Sequence, residues 1–243
     1  MSPKKKTNEK INNNGIFNFY TYKKVQKHFT KSINPNYNYH QISVPFRGIL
    51  IGSSGSGKTN LLMNIIVAFP NTFNHIYIYS KATEPLYDFL TNQLSSDLLT
   101  ISYDLEDLRK FDEKKYYGQT LLVVDDMCLE KDQKCISELY IRGRKLRVSL
   151  LYLSQSYFKI PKTIRLQSEY VFILKVGAVR DLRMILSEYS LLASKEQLTK
   201  MYNYCCNSKE FGNFGQFFLI DLKITQDKTY RKNFTEFLNI TDF

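Results

Sequence analysis

Residues 52 to 59 read "GSSGSGKT", a full match to G-x-x-x-x-G-K-[ST]. The stretch follows a short apolar run, "FRGILIG", and precedes an amphipathic one, "NLLMNIIVAF". That is the strand-loop-helix setting the pattern needs. Gly52, Gly55 and Gly57 let the backbone wrap closely, so that successive N–H groups and a helix amino end face an anion. Lys58 is placed to reach the β- and γ-phosphates of ATP, and Thr59 to offer its hydroxyl to Mg²⁺. The expected cradle runs through Gly52, Ser53, Ser54, Gly55, Ser56, Gly57, Lys58, Thr59 and Asn60.

A second stretch, "LLVVDD", ends a run of branched apolar residues in Asp125 and Asp126. Such a run suits a strand buried on both faces, and folding alone does not call for carboxylates at its end. In a parallel sheet all strand carboxyl ends share one edge, so Asp125 is expected beside the phosphate loop, holding Mg²⁺ through water. Asp126 points differently and suits orienting or deprotonating an attacking water. The bland alternative is a turn that happens to begin with two aspartates. Gln155 follows "LLYLS" at the end of the next strand, where its amide suits contact with the γ-phosphate or the water; its bland reading is a polar loop start.

Arg142, Arg144 and Arg147 precede the Gln155 strand and so belong at the opposite edge. A strand of about six residues at ~3.3 Å each puts them roughly 20 Å from the chain's own phosphate site. An arginine finger among them would have to serve a neighbouring subunit, which implies a ring. The alternative is a basic helix end favoured by its dipole.

The elements that must position these residues alternate. "HIYIYS", "LTISY", "LLVVDD", "RVSLLYLSQ" and "SEYVFILKV" read as strands, and "EPLYDFLTNQL", "KDQKCISELYIRGRK", "VRDLRMILSEYS" and "KEQLTKMYNYC" as helices. "GQFFLIDLK" is expected as an edge strand. This alternation predicts an α/β fold, a P-loop NTPase with a mostly parallel central sheet flanked by helices. "HIYIYS" intervenes between the two motif strands, leaving room for the Gln155 strand between them, an ASCE/RecA-like order. Residues 1–40, with "KKK", "NNN" and "NPNYNY", are expected as a basic Asn/Lys-rich arm, 41–225 as the ATPase domain and 226–243 as a tail.

Bulk composition adds bounds. The 243 residues with 43% hydrophobic content suffice for a real core. Lys and Arg number 34 against 23 Asp and Glu, a net +11 that suggests a polyanionic partner. Residues 1–31 alone hold eight lysines and one glutamate, so +7 of that charge sits in the arm and +4 in the rest. The abundance of Lys, Asn, Ile, Tyr and Phe also fits an A/T-rich genome, so charge alone decides little. Cys128, Cys135, Cys205 and Cys206 contain no C-x-x-C pair, and His28, His40 and His75 are scattered, so free thiols in a reducing compartment are expected rather than zinc. No stretch approaches the ~18 apolar residues of a membrane span.

With these residues in view, the chain resembles the FtsK-HerA group of DNA-translocating ATPases, and within it the poxvirus-type genome-packaging ATPases of large DNA viruses and virophages. The resemblance runs from about Phe46 to Tyr189. "GSSGSGKT" looks like the group's phosphate loop, "LLVVDD" like its Mg²⁺ strand, and "GRKLRVSLLYLSQ" like its arginine-strand-glutamine block. "IPKTIRLQSEYVFIL" and "VRDLRMIL" resemble the segments that follow. The phosphate loop is generic, whereas the run from Gly143 through Arg165 is much more specific. The resemblance implies Arg144 as the finger acting in trans, Gln155 as the γ-phosphate sensor and Asp126 as the catalytic acidic position. Many relatives carry Glu there, so the shorter Asp126 must sit closer to the water. Gln167 stands where relatives often have Asn and is assigned nothing; Arg183 falls at a recurrent arginine position at the subunit interface.

The resulting expectation is an ATP-hydrolysing translocase of double-stranded DNA, packaging a viral genome as a homo-oligomeric ring that contacts a capsid protein. It would work inside the host cell, in the cytoplasm or at the viral assembly site, or associated with the virion, without a membrane. The alternative is a P-loop kinase for a nucleoside or nucleotide, which needs an acceptor site and usually an arginine-rich lid; no lid-like segment follows Gln155. A GTPase switch needs an N-K-x-D guanine reader, which the sequence lacks.

Overall fold

The computed structural model describes residues 18–26, 31–111, 118–127, 130, 132–143, 145–190, 192–206, 216–224 and 228–243. Arg144, Cys128 and most of the expected basic arm lie outside the described residues. The chain divides into two compact units, Met1–Ser32 and Ile33–Phe243. In the first, the Asn18 side chain accepts the Tyr20 N–H at 3.1 Å and caps a 3-10 turn, Phe19–Thr21. One helical turn, α1 (Lys23–Gln26), follows.

The second unit begins with α2 (Tyr37–His40) and then alternates strands and helices. The chain passes through β1 (Arg47–Ile51), α3 (Lys58–Ala68), β2 (His75–Ser80), α4 (Pro85–Gln93), β3 (Leu99–Ser102), α5 (Leu105–Arg109), β4 (Thr120–Asp125) and α6 (Lys134–Arg142). It continues through β5 (Val148–Ser154), α7 (Lys162–Gln167), β6 (Tyr170–Ile173), α8 (Val179–Glu188), α9 (Lys195–Cys206), β7 (Phe218–Asp221), β8 (Tyr230–Lys232) and β9 (Glu236–Phe237). The strands form one sheet in the order β3-β2-β4-β5-β1-β6-β7-β8-β9. From β3 to β6 every pairing is parallel; β7, β8 and β9 add on antiparallel.

The apolar runs explain this layering. Every residue of β2, β4 and β5 is buried, as a strand covered on both faces requires. Because side chains alternate across a strand, each strand feeds two cores. Ile49, Ile51, Leu122, Val124, Leu150 and Tyr152 pack with Ile136 and Leu139 of α6, Ile185 of α8 and Leu198 of α9. Their neighbours Leu50, Leu121, Val123, Leu151 and Leu153 pack on the other face with Leu61, Leu62 and Ile65 of α3 and with Tyr87 and Leu90 of α4. The α/β, mostly parallel sheet expected from the sequence is the observed one, with the Gln155 strand β5 between β4 and the phosphate-loop strand β1.

Two expected boundaries fall elsewhere. "GQFFLIDLK" is not an edge strand: β7 lies inside the sheet, paired with both β6 and β8. The sheet also continues past residue 225, since Tyr230 and Arg231 of β8 are fully buried. Three- and two-residue strands are too short to carry a readable period-2 signal. At the other end the unit reaches back to Ile33, whose N–H and carbonyl bond the Gln119 side chain at 2.6 and 2.8 Å. The Asn34 and Asn36 side chains donate to the carbonyls of Ile42 and Ala68 at 2.8 and 3.0 Å. These polar residues tie main chain to main chain, which composition alone reads as an arm.

Candidate functional site: a phosphate-loop cavity at the carboxyl edge

The loop between β1 and α3 takes its shape from three kinds of contact. Gly55 and Gly57 have φ of +72° and +94°, a region that residues with a Cβ avoid. Gly57 thereby turns the chain into α3, exposing the amino end of that helix. At Gly52 the reason is space: a Cβ there would lie 2.4 Å from Ser56 Oγ and 2.8 Å from Leu174 Cβ. The loop is stitched to its neighbours by Gly52 N–H donating to Ser154 O at 3.2 Å and Ser53 N–H to Lys175 O at 3.0 Å. Ser53 Oγ accepts the Gly177 N–H at 2.6 Å.

A cavity of about 480 Å³ opens above this loop. It is lined by Ser54, Gly55, Gly57, Lys58, Thr59 and Asn60 from the loop and α3, by Asp125 and Asp126 after β4, and by Gln155 after β5. The parallel topology brings these together, since β1, β4 and β5 all end on one rim. Gly52, Ser53 and Ser56 do not line the cavity. Ser56 Oγ is buried without a hydrogen-bond partner among the described residues.

Lys58 Nζ donates to the carbonyls of Gly52 and Ser53 at 3.0 and 3.1 Å, folding its ammonium over its own loop. Asp125 is 8% exposed and its Oδ2 accepts the Tyr87 hydroxyl at 2.7 Å. Burial pushes its carboxyl above the ordinary range; the Tyr87 hydrogen bond and the Lys58 charge oppose that, while the charges of Asp126 and Glu84 add to it. Asp126 leaves the strand with φ +58°, which turns its side chain away from the strand's alternation and onto the cavity wall. Gln155 is exposed at the mouth. Of the arginines, Arg142 ends α6 and Arg147 immediately precedes β5, both at the amino edge, away from the cavity.

Four lining residues lie outside the sequence motifs: Ser80, Ala82, Glu84 and Leu86. Ser80 ends β2, whose end shares the rim, and the other three follow it. Glu84 Oε1 accepts the Thr59 hydroxyl at 3.4 Å. The usable sequence signal was "SKATEP" after a buried strand, with Pro85 as the first residue of α4.

This arrangement suits a polyphosphate with a divalent cation. The Thr59 hydroxyl and the Asp125 carboxylate are the hard oxygen donors that Mg²⁺ takes, usually completed by water and phosphate oxygens. Among the described residues no group of three or more His, Cys, Asp or Glu could hold an ion by itself. Among the described residues no helix is long and apolar enough to cross a membrane, and Cys135, Cys205 and Cys206 are free.

Comparison with known proteins gives the chain a family. The model of the family described as poxvirus A32 protein matches residues 35–220, which contain the loop, both aspartates and Gln155. The chain belongs to the poxvirus A32 protein family. Among its relatives is the DNA packaging protein OPG160 of Variola virus, 29% identical over 134 residues, covering 49% of each chain. The Monkeypox virus protein of the same name is also 29% identical, with 49% of this chain and 44% of that one covered. This family member therefore spans about half the length of the viral relatives it matches.

Solved structures share its fold. The genome packaging NTPase B204 of Sulfolobus turreted icosahedral virus 2, in complex with ATP-γ-S, aligns with a TM-score of 0.54 at 18% identity, over 80% of this chain and 100% of that one. The cytoplasmic domain of the type VII secretion ATPase EccC from Thermomonospora curvata aligns at 0.54 and 15%, over 79% of this chain and 25% of that one.

Proposed function

We propose that this chain is an ATP-hydrolysing motor that moves double-stranded DNA into a viral capsid. The observation that carries the reading is the convergence of Lys58, Thr59, Asp125, Asp126 and Gln155 on one cavity at the carboxyl edge of the sheet. Family membership and the DNA packaging protein OPG160 as a relative support the motor over the small-molecule kinase.

In this reading the N–H groups of the loop and the α3 amino end bind the phosphates, and Lys58 moves from its own carbonyls to the β- and γ-phosphate oxygens. Thr59 and Asp125 hold Mg²⁺, which when bound neutralises charge developing on the transferred phosphoryl group. Asp126 accepts a proton from the attacking water, and Gln155 orients that water and senses the γ-phosphate. A ring of identical subunits would bring Arg144 of a neighbour to the same phosphate, completing electrostatic stabilisation in trans. Duplex DNA in the ring and a capsid protein at its base are the implied partners, inside the infected cell at the site of assembly. The lysines of residues 1–31 provide an arm for DNA or capsid.

The test is ATP hydrolysis by the full chain with and without long duplex DNA. Stimulation by duplex is expected, together with recovery of activity when Lys58→Ala and Arg144→Ala chains are mixed. Phosphoryl transfer to a nucleoside, with no response to duplex, would overturn the motor in favour of the kinase.

A further inference from the structure

The first turn of α4 bears on both residues placed to hold the cation. Tyr87 donates its hydroxyl to Asp125, and Glu84, three residues earlier, faces Thr59. Asp125 Oδ2 is thus already engaged by Tyr87, and the Thr59 proton goes instead to Glu84. The backbone explains why Glu84 is available. It stands at the amino cap of α4 in extended conformation, φ −135° and ψ 132°, and its side chain makes no capping hydrogen bond. Its carbonyl accepts the N–H groups of Tyr87 and Asp88 at 2.8 and 3.2 Å, and Pro85 contributes no N–H. The helix start is therefore built by the main chain and by proline, leaving the carboxylate to line the cavity.

A hydroxyl that ligates a cation gives it an oxygen lone pair and keeps one proton, which must point elsewhere. An acceptor on the far side fixes that proton and aims the lone pair at the metal, as outer partners of metal ligands generally do. We propose that Glu84 is this acceptor: a positioning residue that orients Thr59 for the divalent cation of the nucleotide site. The inference rests on the proposed ATP-binding reading. At 3.4 Å the contact is longer than a typical O–H···O bond, and cation binding is expected to shorten it. Asp126 is one methylene shorter than Glu84 and follows β4, whereas Glu84 follows the adjacent β2 and reaches Thr59; the two carboxylates divide the work, Asp126 toward the water and Glu84 toward Thr59.

The experiment is binding of a fluorescent ATP analogue to the full chain, titrated with Mg²⁺ and repeated in EDTA. For Glu84→Ala the Mg²⁺ concentration giving half-maximal binding should rise about 10- to 100-fold, with affinity in EDTA unchanged. Glu84→Gln keeps an acceptor oxygen and should fall between, which also provides a readout should Glu84→Ala fold poorly. A wild-type Mg²⁺ half-point in both variants overturns the inference. So does an equal loss of affinity with and without Mg²⁺, because a carboxylate that only shapes the loop would affect both. If the unaltered chain binds no nucleotide, the ATP-site reading itself falls and this inference with it. If the unaltered chain binds Mg²⁺-nucleotide and the variants match it, the inference falls alone.

Discussion

Asp125 and Asp221 are both buried, both the last residue of a strand and both part of one sheet, yet their surroundings differ. Asp221 is fully enclosed: Oδ2 meets the Arg231 guanidinium, and Oδ1 accepts the N–H groups of Lys223 and Ile224 at 3.0 and 3.3 Å. Arg231 in turn donates to the carbonyl of His40 at 2.7 Å, so the pair ties β7, β8 and α2 together. Asp125 accepts the Tyr87 hydroxyl and otherwise faces a cavity shared with Lys58 and Thr59. A carboxylate whose lone pairs are saturated by its own chain stabilises the fold; one left on a cavity wall is available to a ligand. Strand direction decides which is which. Parallel strands deliver their ends to a common rim, whereas the antiparallel β7 turns its end to the opposite edge, where the next strand covers it.

The contrast can be broken by removing the charge partner at each end. Arg231→Met leaves the Asp221 carboxylate buried and unpaired and should cost about 3–5 kcal/mol of stability, read by urea denaturation. Nucleotide affinity of the folded fraction should not change. A loss below about 1 kcal/mol would mean that the pair is not what holds the antiparallel end. Lys58→Ala should do the reverse: hydrolysis slows by about 10²–10³-fold while the denaturation midpoint stays put. A large shift in midpoint would assign Lys58 a structural role instead.

A smaller effect sharpens the structural side. His40 is fully buried, its ring 4.0 Å from that of Phe69, and its Nδ1 accepts the Ile42 N–H at 3.0 Å. Burial, and secondarily the Arg231 charge, lower its pKa from 6.5 to about 4. The unfolded chain therefore takes up this proton first. The stability it contributes is present above pH 6.5 and is lost as pH falls toward 4, by roughly 3 kcal/mol at most. His40→Asn, which keeps an acceptor, should flatten that part of the stability profile. An unchanged slope between pH 6.5 and 4 would show that other groups set it.

The same contrast explains what could be read from sequence. The parallel half announces itself, because strands buried on both faces are continuous apolar runs and their ends must share a rim. That is why "GSSGSGKT", Asp125 and Gln155 are assigned to one edge by sequence alone. Glu84 and Tyr87 could not be placed so directly: they belong to the end of the β2–α4 connection and the first turn of α4, which carry no motif, and only the sheet order brings them to Asp125 and Thr59. The antiparallel end was harder still. Strands of two and three residues carry no period, and nothing in "RKNFTEF" reveals that Arg231 returns to Asp221. The helix α2 was similarly hidden, since Asn34, Asn36 and His40 look like solvent-facing residues until their main-chain partners are known: carbonyls for the two asparagines, the Ile42 N–H for His40.

The central claim is that the loop, Lys58, Thr59 and Asp125 form one triphosphate site. Its most direct test is a crystal structure of the full chain grown with ATP-γ-S and Mg²⁺. The account predicts that Lys58 Nζ leaves the carbonyls of Gly52 and Ser53 for a β- or γ-phosphate oxygen at about 3 Å, with the cation on Thr59 Oγ1 and Gln155 facing the γ-phosphorus. A triphosphate bound elsewhere, or a Lys58 still folded on its own loop beside an occupied site, would contradict it.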